Sequence, residues 1–300
     1  MPTPLTILHF NDLHGRLDQL PRLFTLARRE RERALAAGRR VLLLDAGDSS
    51  DRRQWASAAT HGRANYSLLA AMGVQATVLG NAEPYWGRAA LARLVQSAGF
   101  PVLAANLVNG ADPTQSAVPG LLASTLLDLD GYAVGVVGLT QAFPDAYLPA
   151  GYGLLDPAVV LRRELDGLRG QGAKLVILLS HLGLTRTPFG AASEPPGAWH
   201  DDDVAAAFPD LPVIVGGHTH SELSQPQRTH QTVIGQAGCF GQWLGRLDVD
   251  VDDATGLLTA YTGRLIAVDH SVPRDPTIQG TLELVEEEAQ RIGGHKPSAS

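Results

Sequence analysis

The strongest constraint on this chain is a repeated alternation. Short apolar runs, each stopping at Gly, Asp, Asn or His, are separated by amphipathic segments of helical period. Thr6–Phe10 stops at Asn11-Asp12, Val41–Leu44 at Asp45-Ala-Gly-Asp48, Ala76–Leu79 at Gly80-Asn81 and Pro101–Ala105 at Asn106. Leu175–Leu179 stops at Ser180-His181, and Val213–Val215 at Gly216-Gly217-His218. Helical patterns occupy Gln19–Ala36, Asn65–Met72, Arg88–Ala98, Pro157–Gln171 and Val204–Ala207. Thr125–Leu129 and Ala133–Leu139 flank Asp130-Gly131, a two-residue hairpin signal. From Thr232 the pattern is strands alone, including Leu244–Val251 and Leu257–Val268, until a last helix at Pro276–Ile292. Such repetition implies α/β architecture with helices covering the sheet faces. In these sheets ligands bind at the carboxyl ends of strands.

Those ends carry chemistry. In order they present Asp12, His14, Asp48, Asn81, His181, His218 and His220. Asp, Asn and His together suit borderline divalent metals such as Mn²⁺, Zn²⁺, Fe²⁺ or Ni²⁺. An all-oxygen set would point to Ca²⁺ or Mg²⁺. One metal takes about four to six donors, and this set serves two if Asp48 bridges them. A two-metal hydrolytic site is therefore expected, with Mn²⁺ placed first.

The formal charge of −7 argues against a nucleic-acid polymer as partner, though not against a small phosphorylated substrate. Cys239 is the single cysteine, so no intrachain disulfide is expected. The N-terminus enters a strand without a basic start or long apolar run, and no stretch of about eighteen apolar residues suggests a membrane span. The expectation is a cytoplasmic protein without membrane partners.

Together the ordered blocks Asp12-Leu-His14, Gly47-Asp48, Gly80-Asn81, His181 and Gly217-His218-Thr-His220 resemble the calcineurin-like metallophosphoesterase superfamily. Leu79-Gly80-Asn81-Ala-Glu83 and Gln236-Ala237-Gly238 resemble its 5′-nucleotidase branch, N-terminal catalytic domain only. The resemblance implies a four-layer α/β/β/α sandwich over residues 1–272, with 273–300 a C-terminal helix and polar tail. It implies one metal on Asp12, His14, Asp48 and His220, and the other on Asp48, Asn81, His181 and His218. It further implies attack on phosphorus by a metal-bridging hydroxide, with Asn81 and His181 stabilising the phosphoryl oxygens.

Two departures from the family pattern matter. The family's His–Asp general-acid pair falls on Ala82 and Tyr85, and the branch's nucleotide-binding C-terminal domain has no counterpart in the sequence. General acid catalysis contributes roughly 10²–10⁴-fold, so leaving groups needing little protonation are favoured. Tyr85 is a candidate proton donor beside its plainer reading as a pocket wall. The unpatterned stretch Thr185–Asp203 follows His181 and is expected to lie over the site. Within it His200 and Trp199 are candidate substrate contacts, and Phe189 and Trp199 candidate base-stacking or loop-anchoring aromatics. Asp201, Asp202 and Asp203 are expected to cap the helix near Val204. An alternative is a catalytically weakened sensor or scaffold that binds metal and a phosphorylated ligand.

Overall fold

The computed structural model describes residues 2–184 and 197–294. Strands β1 (Thr3–Phe10), β2 (Arg40–Asp45), β3 (Ala76–Val78) and β4 (Val102–Leu103) lie parallel, side by side. β5 (Leu107–Asn109) and β6 (Asp112–Ser116) start a small antiparallel sheet. β7 (Ser124–Leu129) and β8 (Tyr132–Thr140) form the expected hairpin. Its turn residues Asp130 and Gly131 both have positive φ, as a two-residue turn that follows strand twist requires. β9 (Tyr152–Leu154) pairs back onto β5. β10 (Leu175–His181) and β11 (Val213–Gly216) extend β8 in parallel, followed by β12 (Gln227–Thr229) and β13 (Thr232–Gln236). β14 (Trp243–Val251) and β15 (Leu258–Ala267) complete the first sheet.

The result is two six-stranded sheets, ordered β15-β14-β1-β2-β3-β4 and β12-β13-β11-β10-β8-β7. The period-2 alternation of side chains explains how they stack. In β1, Leu5 and Ile7 point to a core shared with Val134 and Val136 of β8 and Ile177 and Leu179 of β10. Leu8 and Phe10 point the other way, into helices. Because both faces are buried, these strands read as continuous apolar runs.

The outer layers follow. α1 (Leu20–Ala36), α2 (Trp55–Thr60) and α3 (Arg63–Ala71) cover the first sheet, with α4 (Arg88–Ser97) at its β4 edge. The short α5 (Pro144–Tyr147) follows β8, and α6 (Pro157–Gly170) with α7 (Asp201–Ala207) covers the second sheet. α8 (Pro276–Gly293) returns to the first outer layer, burying Ile278, Leu282 and Ala289 against the α1–α3 cluster. The layers are thus α/β/β/α, the sandwich expected from the sequence.

Differences from the sequence reading are local. The Pro101–Ala105 run pairs only at Val102–Leu103. α2 and the short turn Glu83–Trp86 were not anticipated, because neither carries a full helical period. α7 begins at Asp201 rather than Val204. His200 is its N-cap, accepting from the third helical residue while Asp203 accepts the His200 N–H, so the aspartates lie inside the first turn. Among the described residues no helix is long and apolar enough to cross a membrane.

Candidate metal centre

The carboxyl ends of β1, β2, β3, β10 and β11 meet at one edge of the two sheets, and every metal ligand proposed from the sequence lies at one of them. Backbone bonds knit the loops together: Asp12 N–H donates to Gly47 O at 2.9 Å, and His14 N–H to Asp48 O at 2.8 Å. Asp12, His14, Asp48, His218 and His220 all have positive φ, between 45° and 75°. Such backbone costs about 1–3 kcal/mol for a non-glycine residue, and it gathers at functional sites. The neighbouring glycines leave the room this needs. A Cβ on Gly217 would meet Ala46 O at 2.6 Å and His181 Nδ1 at 2.9 Å.

Asp12 is oriented by its Oδ2, which accepts from Asn11 Nδ2 at 2.7 Å and from the His218 N–H at 2.9 Å. That leaves Oδ1 facing three imidazoles: His220 Nε2 at 3.4 Å, His14 Nε2 at 3.6 Å and His181 Nε2 at 3.8 Å. Asp48 reaches His181 Nε2 with Oδ1 at 3.5 Å and His14 Nε2 with Oδ2 at 3.7 Å. Two overlapping donor clusters result, Asp12–His14–His220 and Asp12–Asp48–His181. Asp12 is common to both groups, and Asp48 of the second reaches His14 of the first. Asn81 Oδ1 lies 2.8 Å from His218 Nδ1, and the His218 ring is 5.3 Å from that of His181.

The donor set fits divalent cations. Asp12 Oδ1 and His181 Nε2 are buried polar atoms without a hydrogen-bond partner, an arrangement that is costly unless a further group pairs them. His181 Nδ1 donates to Ala46 O at 2.6 Å, which turns the Nε2 lone pair toward Asp48. Charge tells the same story. Burial would raise the Asp12 carboxyl, but His181, His14 and His220 hold it far below the usual carboxylate range. Burial would lower His181, yet Asp48 and Asp12 push it up to about 10. His220 also rises to about 10, against its burial, through Asp12 and Cys239. The buried carboxylates thus favour positive charge in the groups that face them.

Several supporting residues escaped the sequence reading. Asp51 Oδ2 lies 3.6 Å from His14 Nδ1 and is held by Arg53 at 2.7 Å. Glu83 is fully buried, accepting from Ser50 N–H, Ser50 Oγ and Gly80 N–H, each at 3.0 Å, so it ties the Asp48 loop to the Asn81 loop. The Tyr147 hydroxyl donates to Asn81 O at 2.8 Å. Phe240 packs its ring 5.7 Å from His14 and 5.6 Å from His220. Of these, Glu83 belonged to the Leu79-Gly80-Asn81-Ala-Glu83 block but carried no role there; Asp51, Tyr147 and Phe240 left no motif.

Ala82 sits at the site through its backbone, donating its N–H to Asp48 Oδ1 at 2.8 Å. Tyr85 is 39% exposed, at the lip, with its ring edge-on to Tyr147 at 5.7 Å. Trp199 packs on the core beneath α6 and α7, and His200 bonds Asp203 as the α7 cap. Phe189 and most of the expected covering loop, as well as the tail from 295, lie outside the described residues.

Comparison with known proteins agrees with this geometry. A profile of the calcineurin-like phosphoesterase family matches residues 5–222, and the chain belongs to that family. It is 29% identical over 265 residues to the uncharacterized metallophosphoesterase YunD of Bacillus subtilis (strain 168), covering 87% of this chain and 53% of that protein. It is 29% identical over 326 residues to a 5′-nucleotidase of Diplobatis ommata, covering 97% and 53%. The fold is shared with the 5′-nucleotidase precursor of Thermus thermophilus, at TM-score 0.75 and 23% identity over 96% of this chain and 59% of that one. The chain spans about half the length of the curated relatives it matches.

Proposed function

We propose that this chain hydrolyses a small phosphate monoester or diester, 5′-nucleotides among the candidates, using two divalent metal ions, Mn²⁺ first and Zn²⁺, Fe²⁺ or Ni²⁺ after it. The observation that carries the reading is the convergence of Asp12, His14, Asp48, His181 and His220 around the unpartnered Asp12 Oδ1 and His181 Nε2. His218 and Asn81, side by side, complete the set. When bound, such ions lower the pKa of water and neutralise charge on phosphoryl oxygens. The protein's own residues do the rest. Asp48, with one oxygen toward His14 and the other toward His181, spans both halves. Asn81 meets His218 through its side-chain oxygen while Tyr147 fixes its backbone carbonyl. His181 is held in one tautomer by Ala46 O.

A second reading, a metal- and phosphate-binding sensor, draws on Ala82 and Tyr85. These positions place a backbone N–H and a lip aromatic where an imidazole and a carboxylate would supply a proton. One assay separates the two. Mn²⁺-loaded protein and its Asp48→Asn variant are given nitrophenyl phosphate, bis-nitrophenyl phosphate and nucleotides. Turnover that Asp48→Asn abolishes supports the enzyme; bound metal with no turnover supports the sensor.

A further inference from the structure

The block Gln236-Ala237-Gly238 supplies none of the proposed metal ligands, yet its first residue is fully buried against the loop that carries two of them. Gln236 ends β13, which lies parallel beside β11 in the second sheet. Its Nε2 donates to Gly217 O at 2.7 Å. Its Oε1 accepts from Thr219 Oγ1 at 3.1 Å and from the Ser221 N–H. A backbone carbonyl only accepts and a backbone N–H only donates, so these partners fix which way the amide points. The three bonds fall on every second residue, Gly217, Thr219 and Ser221. The residues between them, His218 and His220, are the ligands.

These two histidines serve different parts of the site. His220 belongs with Asp12 and His14, whereas His218 lies 2.8 Å from Asn81 with its ring 5.3 Å from that of His181. Both hold left-handed backbone, at φ 75° and 53°, which an L residue adopts only when its surroundings impose it. Gln236 imposes it by gripping the peptide frame at three points and leaving both imidazoles outside the grip. The clamp reaches a third ligand strand as well. Thr219 Oγ1, held by Gln236, accepts from the Leu184 N–H at 3.2 Å, three residues past His181.

We propose that Gln236 is a positioning residue that sets the spacing of the two metal positions, so that the ions bind as a pair. This rests on the two-metal phosphoesterase reading above and deepens it. A buried amide that served only the fold would affect metal binding no more than any other buried hydrogen bond of β13. One that spaces His218 from His220 loosens one position relative to the other when it is removed.

The test is Mn²⁺ titration of wild type, Gln236→Met and Thr219→Val, followed by calorimetry and by electron paramagnetic resonance. Neighbouring Mn²⁺ ions couple magnetically and a lone ion does not, so the spectrum reports pairing independently of turnover. Gln236→Met fills similar space without the three bonds, and Thr219→Val removes one of them with little change of shape. Thr232→Val is the control, because Thr232 Oγ1, equally buried at the other end of β13, donates to Leu211 O at 2.7 Å. Loss of a group that orients metal ligands lowers affinity about 10- to 100-fold. Gln236→Met is therefore expected to weaken the second equivalent by that factor and to show isolated-ion signal where wild type shows pairs. Thr219→Val should shift the same way by less, and Thr232→Val should lower the melting temperature of the chelated protein while keeping the paired spectrum. Wild-type affinity and pairing in Gln236→Met, or in Thr219→Val where Gln236→Met does not fold, overturn the proposal and leave the two-metal reading standing. So does a Thr232→Val that loses pairing to the same extent. A wild type that never shows a pair removes that reading and this proposal with it.

Discussion

The packing of glycine against Asp48 sets up a substitution whose effect follows from geometry. A Cβ at Gly80 would lie 2.0 Å from Asp48 Oδ1 and 2.2 Å from the Asp48 backbone nitrogen. Carbon–oxygen contacts settle near ~3.3 Å, so in Gly80→Ala the carboxylate must retreat by roughly 1.3 Å. Rotating it does not suffice, because the backbone is in the way as well. The loop after β2 must shift against β3, where Glu83 ties the two together. Overpacking of this kind costs about 1–3 kcal/mol of stability. A ligand displaced by ~1 Å is expected to lower turnover about 100-fold, and metal affinity by about 10- to 100-fold. Calorimetric Mn²⁺ titration, nitrophenyl phosphate turnover and urea unfolding of the chelated protein measure the three effects. Gly167→Ala in α6 is the control: its Cβ would meet nothing within 4 Å, so it should stabilise by about 0.5–1 kcal/mol and leave the metal alone. Wild-type Mn²⁺ affinity and turnover in Gly80→Ala would refute the claim that Gly80 is required for the placement of Asp48.

Two further outcomes are expected from residues behind the ligands. Asp51→Ala removes the carboxylate that faces His14 Nδ1 and should weaken Mn²⁺ binding about 10- to 100-fold, whereas Arg53→Ala, whose side chain is 82% exposed, should do far less; calorimetry checks both. Asp201 is fully buried, with Oδ1 accepting from Ser180 Oγ and Oδ2 without a partner, and burial pushes its carboxyl up to about 7. Its folded pKa lies above its unfolded value, so its contribution to stability is complete below about pH 4 and lost as pH rises through 7. In chelated protein Asp201→Asn should shrink the fall in stability between pH 5 and 8 by up to about 2.5 kcal/mol in urea unfolding. An identical fall in both proteins would contradict it.

What the sequence made legible was whatever a local pattern encodes. Leu5 and Ile7 against Leu8 and Phe10 show why β1 reads as an unbroken apolar run: one pair faces the other sheet and the other pair the helices. Asp12, His14, Asp48, Asn81, His181, His218 and His220 were legible because each follows such a run within a few residues. Residues that act across the fold left no local trace. Asp51 matters through a His14 contact, Tyr147 through a carbonyl sixty-six residues away, and Phe240 through two rings from different loops. The aspartates at 201–203 misled for a related reason. Their composition marks a helix start, but only burial against Ser180 shows that Asp201 is already inside the helix and bonded to the strand that carries His181.

The left-handed ligands connect fold and site most directly. Asp12, His14, Asp48, His218 and His220 hold backbone angles that L residues avoid, and nothing in their own side chains requires this. The requirement comes from the sheets. A chain leaving the end of a parallel strand must turn sharply to reach its next element, and at Asp12, Asp48 and His218 the turn is made at the ligand itself. The turns are held by bonds between loops, Asp12 N–H to Gly47 O, His14 N–H to Asp48 O and Phe240 N–H to Asp12 O at 2.8 Å, as well as by bonds within them such as Thr219 N–H to Gly217 O at 3.0 Å. Strain and ligand geometry are therefore set together, by strands buried on both faces. The donors are aimed by the folded core, so little reorganisation remains to be done when a cation binds.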